Sequence, residues 1–239
     1  MRIVLIPGLM NDGWVWRHQI GALSRIAPVE VARNDGCDSL AAMAARILDD
    51  TRGPLWIAGH SMGGRVALEA WARAPGRIAG LALLDTGAHG PRDSEAPKRN
   101  ALVELARREG LRAVAREWLP PMLSARARAE PSLVEGIVAM LERATPAIFA
   151  GQQHALLGRE DRTALLPTIR CPCLVATGDE DGWAPPAQHQ QMADAIPGAA
   201  LRIVEGAGHM LPVEAPDTVT TMLLDWLQAH PGGPAQASA

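Results

Sequence analysis

The chain has 239 residues, of which 48% are hydrophobic and 21% charged, with a formal net charge of −3. That is ordinary material for one globular domain with a sizeable core, and without a basic block it excludes the electrostatic footprint of a nucleic-acid binder. The three cysteines exclude a disulfide framework and a paired-cysteine metal site: Cys37 stands alone, and Cys171 and Cys173 flank Pro172 too closely for a relaxed bridge.

The chain enters an apolar run at once, Arg2 to Ile6, the pattern of a buried parallel strand. It has no leader of the signal-peptide type and no apolar span of about 18 residues. With unpaired cysteines, these features predict a soluble, cytoplasmic protein without membrane contact. Pro7 to Gly13 is a loop, and Trp16, Ile20 and Leu23 then fall at helical spacing. Pro28 to Ala32 reads as a second strand, broken by Asn34-Asp35-Gly36. Ser39 is a good N-cap for an amphipathic helix carrying Leu40, Met43, Ala44, Ile47 and Leu48. Leu55 to Ala58 is a third strand. It runs into Gly59-His60-Ser61-Met62-Gly63-Gly64, and a helix follows until Ala74-Pro75-Gly76. Ile78 to Leu84 is a fourth strand, ending at Asp85-Thr86-Gly87.

From about His89 to Leu166 the only patterns are helical. Leu102, Leu105 and Ala106 share a face, as do Leu111, Val114, Ala115 and Trp118 before Pro120-Pro121. Val134, Ile137, Val138 and Leu141 repeat the spacing, and Ile148 and Phe149 belong to a further helix. The arginines of this stretch, from Arg107 to Arg128, are nearly balanced by acids and read as a solvated surface. Cys173 to Ala176 resumes the strands and ends at Thr177-Gly178-Asp179-Glu180-Asp181. A helix from Pro186 to Ile196 and a strand from Leu201 to Val204 follow, then Glu205-Gly206-Ala207-Gly208-His209. The last helix carries Val219, Met222, Leu223, Trp226 and Leu227 on one face.

This order predicts an α/β fold with a mostly parallel sheet of about six strands flanked by helices and an all-helical cap insertion. Residues 1–88 and 167–230 form the core, 89–166 the cap, and 231–239 a disordered tail.

Strand, Gly-x-Ser-x-Gly, helix is the setting of a nucleophile elbow. Its serine sits on a sharp turn, and Gly59 and Gly63 remove the Cβ atoms that would obstruct the turn, while Gly64 lets the helix approach. In an open α/β sheet, ligand sites lie beyond the carboxyl ends of the strands. There the chain places Ser61, Asp181 and His209, in that order.

On these motifs the sequence resembles the α/β-hydrolase superfamily, and within it the small bacterial serine esterases and the lactone and C–C bond hydrolases. Leu5-Ile6-Pro7-Gly8-Leu9 is similar to the family's oxyanion loop and Gly59 to Gly64 to its elbow. Gly178 to Asp181 is similar to its acid turn, and Gly206 to His209 to its histidine loop. The insertion falls where the family places its cap. Many relatives carry His-Gly where this chain has Pro7-Gly8.

The resemblance implies roles for these residues. Ser61 is a poor nucleophile alone and needs a base within hydrogen-bond reach; His209 is that base. Asp181, at the family's Gly-x-x-Asp spacing, orients it. Asp85 is the rival acid, and Asp179 is expected to tie down its turn. His60, next to the serine, is expected to be structural. The backbone N–H groups of Met62 and Leu9 are the expected oxyanion donors, with Met10 as a substitute for Leu9. Trp14, Trp118, Met122, Phe149, Trp183 and Met210 are candidates for an apolar substrate pocket, each with core or cap packing as the alternative. No cofactor or metal is expected, and the partner is a small ester-like molecule. The function implied is hydrolysis of a small carboxylic ester, thioester or lactone through an acyl-enzyme. C–C cleavage of a ring-cleavage diketone is an alternative on the same triad, and a non-catalytic ligand-binding relative is another.

Overall fold

The computed structural model describes residues 1–231, so the predicted tail beyond Pro231 lies outside the described residues. Six strands form one parallel sheet in the order β2-β1-β3-β4-β5-β6. They are β1 (Arg2–Ile6), β2 (Val29–Val31), β3 (Leu55–His60), β4 (Ile78–Leu84), β5 (Cys173–Gly178) and β6 (Ala200–Val204). The continuous apolar runs of β3, β4 and β5 are buried along their whole length, as strands covered on both faces must be. The edge strands β2 and β6 are short and partly exposed, which limits their capacity to pair with other chains.

The helices α1 (Arg17–Leu23), α2 (Leu40–Asp50), α3 (Met62–Arg73), α9 (Pro186–Ala195), α10 (Leu211–Glu214) and α11 (Pro216–Ala229) belong to the sheet layers. Ser39 caps α2 by accepting the Ala42 N–H at 3.2 Å. Helix α11 docks through Trp226, whose ring meets Trp56 of β3 edge-to-face at 4.8 Å. Gly80 of β4 makes room for both rings, since a Cβ there would strike Trp56 and come within 2.9 Å of Trp226.

Between β4 and β5 lie α4 (Glu95–Glu109), α5 (Leu111–Trp118), α6 (Ala125–Arg128), α7 (Pro131–Leu141) and α8 (Pro146–Leu157), with no strand among them. Gly110 breaks α4 from α5 at φ 82°, a conformation glycine adopts without a Cβ penalty. The two ends of this insertion meet at Arg159. Its buried guanidinium pairs with Glu95 at 2.6 and 2.9 Å and donates to the carbonyls of His89 and Gly90. That ties together the two ends of the helical insertion, the expected cap. No helix among the described residues is long and apolar enough to cross a membrane.

Strand β3 continues two residues past the expected Ala58, because Gly59 and His60 stay in register with Leu83 and Leu84 of β4. Strand β5 likewise runs on to Gly178, paired with Val204. The extensions bring β3 to the residue before Ser61 and β5 to the start of the acid turn.

Candidate active site

Ser61 follows β3 directly and precedes the first residue of α3. Its backbone has φ 55° and ψ −116°, one of three non-glycine residues at positive φ among the described residues. A side chain there is strained, and three hydrogen bonds hold it in place. The Ser61 N–H donates to Leu84 O at 2.9 Å, and Ser61 O accepts from Gly64 N at 3.0 Å and from Thr86 Oγ1 at 2.7 Å. The elbow's glycines have ordinary φ values; their service is close approach. A Cβ on Gly59 would strike the Gly63 backbone, one on Gly63 would strike the Ile6 carbonyl of β1, and one on Gly64 would meet the Thr86 side chain at 2.6 Å.

His209 lies in the loop after β6, and Asp181 in the turn after β5. The His209 Nε2 atom is 2.8 Å from Ser61 Oγ, and its Nδ1 is 2.8 Å from Asp181 Oδ2. The carboxylate fixes the tautomer: Nδ1–H donates to Asp181, which leaves Nε2 to accept the serine hydroxyl. Asp181 is itself oriented, its Oδ1 accepting the N–H groups of Trp183 at 2.8 Å and Ala184 at 2.9 Å. Burial alone would push its carboxyl up. The neighbouring His209 and those N–H donors outweigh burial and leave it below the usual carboxylate range, hence ionised.

Asp85 is fully buried but does not reach the His209 ring. Its Oδ2 accepts the Leu211 N–H at 3.1 Å and lies 3.4 Å from His60 Nε2. Burial, reinforced by the charge of Asp181, pushes its carboxyl well above the ordinary value. Asp179 accepts the Gly206 N–H at 2.7 Å and so ties the acid turn to the histidine loop. His60 supports the histidine loop: its Nε2–H donates to the His209 carbonyl at 2.7 Å. Burial depresses its basicity, consistent with a neutral ring.

The β1 loop lies against the elbow. A Cβ on Gly8 would come within 3.2 Å of Ser61 Cβ. Met62 is the first residue of α3, where an N–H has no intrahelical acceptor. The Met10 N–H is taken by Gln152 Oε1 of α8 at 2.8 Å, whereas the Leu9 N–H has no acceptor among the described residues. Neither the Leu9 nor the Met62 amide is therefore taken by an acceptor among the described residues.

The six pocket candidates divide. Trp183, 44% exposed, stands with its ring centroid 6.5 Å from that of His209 and meets Trp118 at 6.0 Å. These two indoles form an aromatic wall beside the histidine. Met122 is buried, and its carbonyl accepts the His209 N–H at 2.7 Å. Phe149 and Met210 are buried in the core cluster. Trp14 packs on Gly136 of α7 under the guanidinium of Arg17, which lies 3.5 Å from its ring centroid, and so fastens the β1 loop to the cap. Residues that sequence reasoning passed over include Gln152, His189 and Glu214. The His189 Nε2 accepts the Thr86 N–H at 2.9 Å beneath the elbow. Glu214 carried a readable signal, a lone carboxylate in the apolar run Met210-Leu211-Pro212-Val213; Gln152 and His189 carried none.

The chain belongs to the alpha/beta hydrolase family, whose model matches residues 3–221. It is similar to a thermophilic esterase from Thermogutta terrifontis, with 30% identity over 96% of this chain and 90% of that one and a TM-score of 0.87. It is also similar to the enol-lactonase from Burkholderia xenovorans, with 29% identity over 95% of this chain and 91% of that one and a TM-score of 0.84. Among curated proteins, 87% of the chain matches part of the polyketide synthase ThaQ of Burkholderia thailandensis at 31% identity, spanning 11% of that protein's length. It spans 64% of the dihydrolipoyllysine-residue acetyltransferase component of the acetoin cleaving system of Pseudomonas putida, at 28% identity.

Proposed function

We propose that the protein is a serine hydrolase that cleaves a small carboxylic ester or lactone through an acyl-enzyme. The observation that carries this reading is the continuous hydrogen-bonded chain Asp181–His209–Ser61, with both links at 2.8 Å. Ser61 Oγ attacks the substrate carbonyl while His209 Nε2 takes its proton. The imidazolium so formed is stabilised by Asp181, which stays ionised throughout. The carbonyl oxygen, now negative, accepts the N–H groups of Leu9 and Met62. His209 returns the proton to the departing alkoxide, or to the ring oxygen of a lactone. Water, activated by the same histidine, then releases the acid and restores Ser61.

A cleft of about 450 Å³ opens beside the oxyanion loop, lined among others by Met10, Asn11, Asn34, Met140, Ile148 and Gln152. Neither Ser61 nor His209 lines it; on the histidine side, Trp183 and Trp118 offer a substrate apolar contact. The similarity to an esterase and an enol-lactonase favours oxygen esters and lactones over other acyl compounds. Three cysteines without a disulfide support a cytoplasmic location.

A panel of p-nitrophenyl esters of graded acyl length, with a lactone and a ring-cleavage diketone included, tests the reading. Turnover of an ester or lactone that disappears in Ser61→Ala supports it; turnover of the diketone alone replaces it with C–C hydrolysis.

A further inference from the structure

We propose that Glu214 is a positioning residue for His209, and that it does so by gripping the cap and the histidine loop with one carboxylate. The inference rests on the reading of His209 as the base. Glu214 is 2% exposed, and a buried carboxylate is costly unless its oxygens are satisfied. No arginine or lysine among the described residues forms an ion pair with it. Its oxygens are satisfied by backbone alone. Oε2 accepts the N–H groups of Gly208 at 3.0 Å and Ser124 at 2.9 Å, and Oε1 accepts the Met210 N–H at 3.0 Å.

The identity of those donors gives the carboxylate its role. Gly208 and Met210 are the residues directly before and after His209, so the carboxylate brackets the base. The third donor, Ser124, is in the cap, two residues beyond Met122, whose carbonyl takes the His209 N–H at 2.7 Å. All three N–H groups from 208 to 210 are thereby fixed either to Glu214 or to the cap. Gly208 permits this closeness, since a Cβ there would come 2.6 Å from the Ser124 nitrogen. The next cap residue reaches the acid turn: the Ala125 N–H donates to Glu180 Oε2 at 2.7 Å. The cap segment Met122–Ala125 therefore touches both loops that present the pair Asp181 and His209. This end of the cap holds the imidazole at its distance from Ser61.

Three variants of the full chain test this. Glu214→Gln keeps the shape but turns an NH2 group toward N–H donors. Ser124→Pro removes one donor at a position whose φ is already −61° and whose preceding residue is extended. Ser124→Ala keeps that N–H and removes only the hydroxyl that caps α6 at 3.2 Å.

A small displacement of a base lowers the chemical step more than binding. Glu214→Gln is therefore expected to reduce kcat on p-nitrophenyl acetate about 100-fold with KM within about twofold. Ser124→Pro is expected to lose about tenfold relative to Ser124→Ala. The downfield NMR signal of the His209 Nδ1–H, hydrogen-bonded to Asp181, reads the same positioning without any turnover. It is expected in the wild type and shifted or lost in Glu214→Gln. A folded Glu214→Gln with an unchanged Nδ1–H signal and unchanged kcat overturns the proposal. So does a Ser124→Pro indistinguishable from Ser124→Ala, a comparison that stands if Glu214→Gln fails to fold. If the wild type turns over no ester but its Nδ1–H signal moves in Glu214→Gln, the positioning holds and the esterase reading fails.

Discussion

The side-chain carbonyl of Gln152, in cap helix α8, accepts the backbone N–H of Met10, in the loop after β1, at 2.8 Å. The two residues are 142 positions apart. The bond occupies the Met10 N–H, while that of Leu9 has no acceptor among the described residues, so in the proposed mechanism Leu9 is the oxyanion donor. It also holds Met10 at φ 59°, a conformation that side chains rarely adopt. Gln152→Ala leaves a buried N–H without a partner, a cost of about 1–3 kcal/mol. We expect the loop to relax and kcat on a p-nitrophenyl ester to fall about tenfold. Unchanged kcat would mean that Leu9 is held by the loop itself.

Asp181 and Asp85 are predicted to respond in opposite ways to the same change. Asp181→Asn removes the acceptor that fixes the His209 tautomer, and kcat is expected to fall by about 10⁴. Asp85→Asn replaces a carboxyl that burial and Asp181 keep well above its ordinary value, so activity should hold within about threefold. Its stability should change with a definite sign. Asp85 holds its proton in the folded state at pH values where the unfolded chain has released it, so the wild type loses stability as pH rises above the ordinary carboxylate value of 3.8. The advantage of Asp85→Asn should therefore be small at pH 4 and grow toward pH 8 in urea denaturation. Loss of activity in Asp85→Asn with activity retained in Asp181→Asn would exchange the two assignments.

His189 makes the opposite prediction. It is completely buried, and burial depresses its imidazole from the ordinary 6.5 to about 4. It must be neutral to accept the Thr86 N–H. The unfolded chain protonates it first, so stability is lost as pH falls from about 6.5 toward about 4, by up to about 3 kcal/mol. His189→Gln keeps an acceptor that does not titrate and should flatten that part of the stability profile. An identical slope in the variant would place the acid sensitivity elsewhere.

Ser61 carries backbone strain in the service of its hydroxyl. At φ 55° and ψ −116°, glycine is more comfortable than any side chain. Ser61→Gly should lose turnover yet unfold at higher urea than Ser61→Ala, by about 1 kcal/mol. Equal stability of the two variants would show that the surrounding bonds, not the serine's own conformation, bear the cost of the turn.

Much of this was legible in the chain because it depends on local pattern. The runs of β3 and β4, the Ser39 cap and the apolar face of α11 are set by neighbours in sequence, and they appear where burial requires them. The elbow, the acid turn and the histidine loop were legible because each needs glycines at fixed offsets. The short helix α10 was not, since four residues carry no periodicity. Nor was the sorting of apolar residues into wall and core. Trp183 and Phe149 look alike in a pattern, and only the tertiary fold leaves one 44% exposed beside His209 and the other sealed. The bonds from Gln152 to Met10 and from Glu214 to Ser124 join separate parts of the chain, and hydrophobic spacing carries no record of such partners.

In the proposed reaction Ser61 is a nucleophile activated by His209. Mass spectrometry of the folded protein after treatment with a fluorophosphonate probe tests it most directly. One adduct on the peptide containing Ser61, absent from Ser61→Ala and strongly slowed in His209→Ala, is the predicted result. A folded wild-type protein that takes no adduct, or a Ser61→Ala variant that is labelled as fast as the wild type, would contradict it.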